Sequence, residues 1–329
     1  MTGVHQEAAF ESSSEARLLS SGWANPEAAG YDRKLGLFPE ELTLFLAESQ
    51  PDEWAELCKR HGGEAAARPK VAKRVADEIT ARGTVDVLRG VVKDTGVTFR
   101  VAAFAPANGL TPGLWRAYEA NRLGVVRQLH HSESSPMDSL DVTLVLNGIP
   151  VATAELKNPL TGQSVADAME QYRKDRNPVD LIFKHRALVH FAVDPHQVYM
   201  TTRLARQGTR FLPFNEGSCG AGRPGGAGNP ANPGGYASAY LWERVWQRDN
   251  WLGILGSFVH PEDRVVLERV SGRWKDGQRH ATNEFRIMVP DGEPRWVRVF
   301  YRLEPNSLKG VGLVLDIDAR KRQELALVE

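Results

Sequence analysis

The sequence predicts an α/β protein that carries a small antiparallel β segment near its C-terminal end. Three observations lead there. Residues 35–82 space their apolar side chains for helices, and valine-rich or alternating segments dominate between residues 84 and 202. From about Pro261 the texture changes to strand-like runs separated by turn residues. A chain of 329 residues is long enough for two domains, and that change divides it into residues 1–260 and 261–329.

Taken in order, the first ten residues are expected to fray, and Glu11–Leu19 to form a helix weakened by three serines and ended at Gly22-Trp23. Leu35–Phe45 follows as a helix, with Pro39 and Glu40 suited to its first turn. Pro51–Arg60 and Pro69–Arg82 read as two more. Gly83 opens a shift to β character, with Thr84–Val92 and Val97–Phe104 as valine-rich strands. A helix around Leu114–Asn121 precedes a strand at Leu123–Leu129.

The hairpin comes next. In Ser139–Asn158, SLDVTLVLNGIPVATAELKN, two alternating arms meet at Asn147-Gly148, the strongest short-range signal of a tight β-turn. Ser164–Arg173 is expected as a helix with Ser164 as N-cap and Asp167 three residues on. Arg186–Val193 and Val198–Thr202 read as buried strands, residues 216–235 as a glycine, proline and asparagine loop, and Tyr240–Val259 as an aromatic-rich helix. In the last part, Phe285–Val289, Arg295–Leu303 and Lys309–Asp316 read as three antiparallel strands with a turn at Asp291-Gly292, and Arg320–Glu329 starts a charged helix.

Composition narrows the class. With 42% hydrophobic and 25% charged residues the chain is globular, and its zero formal charge gives no global attraction for polyanions. Residues 155–210 hold 9 Lys/Arg against 6 Asp/Glu, a local excess that suits either a solvated surface or a patch for a polyanion. Cys58 and Cys219 form no CxxC motif, so neither a disulfide framework nor a zinc site is expected, and a reducing cytoplasm fits. No basic and apolar leader opens the chain, and no apolar run approaches the roughly 20 residues that span a bilayer.

The hairpin also carries the chemistry. Glu155 and Lys157 share one face of its second arm because strand side chains alternate with a period of two. Two carboxylates with the Leu156 carbonyl are a suitable oxygen set for Mg²⁺, and a lysine beside them suits a phosphodiester. The same Glu–Lys pair is equally an ordinary ion pair at a sheet edge. The register leaves the second carboxylate open. With a strict two-residue loop Asp141 lies opposite Ala154 and points away from Glu155, whereas Asp138 lies opposite Lys157. A bulge at Pro150, which has no N–H for the ladder, would bring Asp141 round, and Asp141 is the preferred member.

The run NRLGVVRQLHHS, the hairpin with NPLTGQSVADAMEQYRKDR, ALVHFAVDPHQVYMTTRLA, TRFLPFNEG and GNPANPGGYASAYLWERVWQRDNWL closely resembles the N-terminal nuclease region of the R subunit of type I restriction enzymes, over roughly residues 10–259. The resemblance implies a PD-(D/E)xK restriction-endonuclease-like core, a mixed sheet flanked by helices, which cuts double-stranded DNA with Mg²⁺. By motif position Asp141, Glu155 and Lys157 match the catalytic set, with Asp141, Glu155 and the Leu156 carbonyl as metal ligands. Gln171 matches the glutamine of a Gln-x-x-x-Tyr motif, whose tyrosine position holds Asp175 here. Glu11 matches a first-helix glutamate near the metal. Arg173 and Arg176 are candidates for DNA phosphates, or for ion pairs with Glu170 and Asp175.

In such systems methyltransferase and specificity subunits are the partners, and an ATP-driven motor supplies translocation. These 329 residues contain no Gly-Lys dipeptide and so no Walker A motif, which leaves ATP use to a motor elsewhere. The segments FVHPEDR, EFRIMVPDGEPRWVRVFYRLEP and GVGLVLDIDARKRQE resemble the C-terminal half of a PAS sensory domain, which implies a homodimerising or sensory tail. Two functions follow as expectations. One is an Mg²⁺-dependent endonuclease module without its own motor. The other is a catalytically idle DNA- or partner-binding protein with a signalling tail.

Overall fold

The computed structural model describes residues 2–106, 112–158, 162–217, 228–256, 280–288, 294–303, 310–317 and 321. They form two compact units, one of Met1–Ala103 with Arg116–Trp251 and one of Phe104–Trp115 with Leu252–Glu329.

The first unit begins with α1, Thr2–Ser20, a longer helix than the sequence predicts. Phe10, Glu11, Ser14 and Leu18 are buried at helical spacing, which anchors it. Its serines are accommodated because Ser12 and Ser13 face solvent and the Ser14 hydroxyl donates to the Glu11 carbonyl at 2.8 Å. A helical layer follows: α2 (Pro39–Ser49), α3 (Pro51–His61) and α4 (Glu64–Arg82). Prolines open α2 and α3, where a missing N–H costs nothing. In α4 Pro69 lies inside the helix instead of starting it, and the Ala65 carbonyl that it deprives of a partner lies on an exposed turn.

The expected strand at Thr84–Val92 is overturned. Thr84–Arg89 is a helix, α5, and only Val92–Asp94 (β1) and Val97–Phe99 (β2) pair as strands. Thr84, Val87 and Leu88 are buried, a helical i, i+3, i+4 set, and the Thr84 hydroxyl reaches the carbonyls of His185 at 2.9 Å and Arg186 at 2.7 Å. Burial of that face outweighs the β preference of two valines.

After α6 (Pro112–Glu119) the chain enters a six-stranded mixed sheet of order β3-β4-β5-β6-β7-β8. Its strands are Leu123–His130, Ser139–Leu146, Ile149–Leu156, Val189–Val193, Val198–Thr201 and Leu212–Pro213. Only β5 and β6 run parallel, and their crossover contains α7 (Val165–Lys174) and a π-helical turn at Ile182–Arg186. Against β5, β6 and β7 the helix α7 packs Val165, Ala168 and Tyr172. The predicted aromatic helix is broken: a π-helical turn at Leu241–Val245 precedes α8 (Arg248–Gly256), with the Trp246 N–H on the Leu241 carbonyl at 2.7 Å. Trp242 and Trp246 are buried, the latter edge-on to Phe191.

The hairpin between β4 and β5 turns at Asn147 (φ +49°) and Gly148 (φ +80°), as a two-residue loop requires. This turn is buried. Asn147 accepts the Arg122 N–H at 2.7 Å and donates to the Val101 carbonyl and to Asn121 Oδ1, both at 2.9 Å. The register then shifts, pairing Val145 with Pro150 but Leu144 with Ala152, so Val151 is an extra residue and β5 carries a bulge.

In the second unit, β9 (His280–Met288), β10 (Pro294–Leu303) and β11 (Gly310–Asp316) form an antiparallel sheet with β10 in the middle. Glu284 accepts from Arg298 Nε across the strands at 2.7 Å and from Lys321 Nζ at 2.7 Å, while Arg286 and Lys321 lie 5.3 and 5.4 Å from the Trp296 ring centre. The expected turn at Asp291-Gly292 and all of the Arg320–Glu329 helix except Lys321 lie outside the described residues, as do residues 218–227 of the glycine-rich loop. Among the described residues no helix is long and apolar enough to cross a membrane.

Candidate active site

The bulge decides the register question. Beyond Val151 the ladder pairs Thr143 with Thr153 and Val142 with Ala154, which carries Asp141 to the level and the face of Glu155. The Asp141 carboxylate accepts the Leu156 N–H at 2.8 Å through Oδ2 and the Gln128 side-chain amide at 3.3 Å through Oδ1. Asp138 lies before β4 in the neighbourhood of His131 and Asp180, and its N–H bonds to the Ser135 carbonyl.

Glu155 is fully buried. Its Oε1 accepts from Arg176 Nε at 2.7 Å, and its Oε2 has no hydrogen-bond partner among the described residues. Burial, and then repulsion from Asp141, push its carboxyl up to about 8, against the pull of Arg176 and Lys157. Lys157 is half-buried just past the end of β5, where its N–H donates to the Val193 carbonyl at 2.9 Å. Its charge attracts both Glu155 and Asp167, the first-turn acid of α7.

The same helix carries Gln171, whose side-chain oxygen is buried with no hydrogen-bond partner among the described residues. Glu11 also reaches this region from α1. Its carboxyl is raised by burial and by Asp141, yet Arg127 Nη2 holds it at 2.6 Å. The two arginines expected at DNA phosphates lie differently. Arg173 bonds Glu170 at 2.9 Å and lies 5.4 Å from the Phe211 ring centre. Arg176 departs from the expectation: only 5% exposed, it donates to Glu155 and, through Nη2, to the Ser139 carbonyl at 2.6 Å. A guanidinium so buried and paired faces the protein and not a phosphate backbone.

Two further contributors escaped sequence reasoning. Gln128 adopts φ +48°, a left-handed conformation that costs a non-glycine residue roughly 1 kcal/mol or more. Its carboxamide bonds the carboxylates of both Glu11 and Asp141 and accepts the Ser139 hydroxyl at 2.8 Å. A glutamine in a strand gives no hint of this. Behind Glu155 lies a buried chain in which Thr153 Oγ1 meets the Tyr172 hydroxyl and His190 Nδ1, each at 2.8 Å. Thr153 and His190 could have been paired from their places inside β5 and β6, but only with the parallel register known.

Among the described residues no three His, Cys, Asp or Glu side chains come together as a metal-binding group, and the Glu11 carboxylate is paired with Arg127. What remains suits Mg²⁺, which is commonly bound by one or two carboxylates and completed by water and substrate phosphate. The unsatisfied Oε2 of a buried carboxylate beside a second carboxylate is an observation a divalent cation would account for.

Residues 114–209 match the family model of the type I restriction enzyme R protein N terminus. That segment holds Asp141, Glu155, Lys157, Gln171, Arg173 and Arg176, and it is similar to the N-terminal, nuclease-like region of an R protein. It is shorter than the 10–259 over which the resemblance was read, so Glu11 falls outside it. Residues 249–311 match the PAS fold. No curated protein and no solved structure matches the chain.

Proposed function

We propose that the chain is the Mg²⁺-dependent endonuclease module of a type I restriction system and hydrolyses phosphodiesters of double-stranded DNA. The observation that carries this is the pair Asp141 and Glu155 on one sheet face, with Glu155 Oε2 unsatisfied, within the segment that matches an R-protein N terminus. Asp141, Glu155 Oε2 and the Leu156 carbonyl would hold the cation, which when bound lowers the pKa of a water and offsets charge developing on the phosphate. Lys157, half-buried just past the end of β5, would attract the phosphodiester and steer the attacking water. Gln171 would orient that water through its buried oxygen. Translocation by ATP would come from a motor outside these 329 residues, with methyltransferase and specificity subunits as the surrounding complex and the cytoplasm as the setting.

Purified protein should nick supercoiled plasmid with Mg²⁺ and stop when EDTA is added. Replacing an outer partner of a metal site commonly costs about 10–100-fold, so Glu155→Ala, Asp141→Ala and Lys157→Ala should each lose at least that much. Activity unchanged in these variants would reject the site. The rival reading, an idle DNA- or partner-binding protein, gains from the lack of a three-residue metal-binding group among the described residues. It predicts duplex binding that is indifferent to Mg²⁺, with no nicking.

A further inference from the structure

A buried arginine is an unusual neighbour for a metal-ligand carboxylate, and its two bonds tell what it does. Arg176 follows α7 directly, its own N–H on the Gln171 carbonyl at 3.2 Å. Its side chain bridges two strands: Nε holds Glu155 Oε1 on β5 at 2.7 Å, and Nη2 holds the Ser139 carbonyl on β4 at 2.6 Å. Ser139 precedes Asp141 by two residues, so the guanidinium ties together the ends of the two paired strands that carry the carboxylates. It also takes one oxygen of Glu155, while the other has no hydrogen-bond partner among the described residues.

We propose that Arg176 is a positioning residue of the metal site, which turns Glu155 so that Oε2 is presented beside Asp141 and balances the buried charge pair before a divalent cation arrives. The inference rests on the metal-dependent reading above. Guanidinium chemistry suits the task because its planar fork offers donors in two fixed directions, whereas an ammonium is a point charge that cannot span both acceptors in the same geometry. Lys157 also attracts this buried carboxylate, and Arg176 adds a hydrogen bond that fixes its direction. The opposite role, a competitor that blocks the cation, makes the opposite prediction.

Calorimetric titration of Mn²⁺ into the full chain separates them, with the wild type, Arg176→Gln, Arg176→Lys and Glu155→Gln compared at matched thermal midpoints. Wild type should bind and Glu155→Gln should not. Arg176→Gln should bind about 10-fold more weakly or worse, the usual loss for an outer partner, and Arg176→Lys should recover part of that loss by restoring charge without the bridge. Affinity in Arg176→Gln equal to or tighter than wild type overturns the proposal and leaves the nuclease reading in place. Should Arg176→Gln fail to fold, Arg176→Lys decides, since full wild-type affinity there overturns the bridging role. No Mn²⁺ binding by the wild type overturns the metal-dependent reading itself.

Discussion

At the scale of single residues, Gly148 is the most tightly surrounded of the described glycines. It sits at φ +80°, and a Cβ there would stand 2.4 Å from the Phe38 carbonyl oxygen and 2.8 Å from the Leu42 nitrogen. Backbone cannot move aside as a flexible side chain can, and Phe38 itself donates its N–H to the Gly148 carbonyl at 2.8 Å. Gly148→Ala should therefore lose about 2 kcal/mol or more, read as a lower urea midpoint with an unchanged slope. The turn was legible because Asn-Gly between alternating apolar residues has a local cause. Its burial was not, since the partners of Asn147 are Val101, Asn121 and Arg122, and nothing in a local pattern announces them. The site divides the same way. Asp141, Glu155 and Lys157 are legible as a candidate set from the hairpin's spacing together with the family resemblance, whereas the inward turn of Arg176 depends on a loop that no periodicity describes.

Elements tell a related story. Ser164 and Asp167 were readable as a helix start, and the helix has that cap: the Asp167 carboxylate accepts the Ser164 N–H at 2.7 Å and its hydroxyl at 3.1 Å. Those bonds hold the Asp167 carboxyl below its usual range. Asp167→Ala should cost about 1 kcal/mol of stability in urea unfolding, with Asp167→Asn recovering part of it. A second orphan N–H of α7, that of Val165, is taken by Asp194 Oδ2 at 2.9 Å, from the end of β6 and far along the chain. The elements misread are those whose burial contradicts propensity. Thr84–Arg89 is helical because one face is covered, and the tryptophan-rich helix breaks at Trp246 where its rings enter the core.

For the molecule as a whole, the buried histidines set how it meets acid. Burial lowers His190 to about 3 and, with repulsion from Arg176, His131 to about 4, both from an ordinary value near 6.5. The unfolded chain then binds protons that the folded one refuses. The histidines' share of stability is complete above pH 6.5 and falls as the pH drops towards those lower values, by about 1.4 kcal/mol per pH unit for each histidine. Glu155, held up at about 8, opposes one of them, because the folded chain keeps a proton there that the unfolded chain gives up. Urea midpoints measured from about pH 6.5 down to about 4.5 should therefore decline by about one histidine's share, and His190→Gln should flatten them. A wild-type profile that rises towards acid would mean that both rings are protonated in place. The class of the fold, a mixed sheet with helices and a separate antiparallel sheet, was legible from the order of elements together with the family resemblance. The strand order was not, because β6 joins β5 in parallel only after a crossover that local sequence does not count.

One extra residue at Val151 has a consequence for how related genes are compared. The two carboxylates share a side of the sheet because the hairpin contains an odd surplus, so what is inherited is a parity as much as a set of letters. A deletion of one residue between Pro150 and Glu155 would preserve Asp141, Glu155 and Lys157 in any list of matched positions and still send the acids to opposite sides. Gap placement inside this hairpin is a chemical decision, and a relative that keeps the motif but loses the surplus residue has kept the spelling of the site without its meaning.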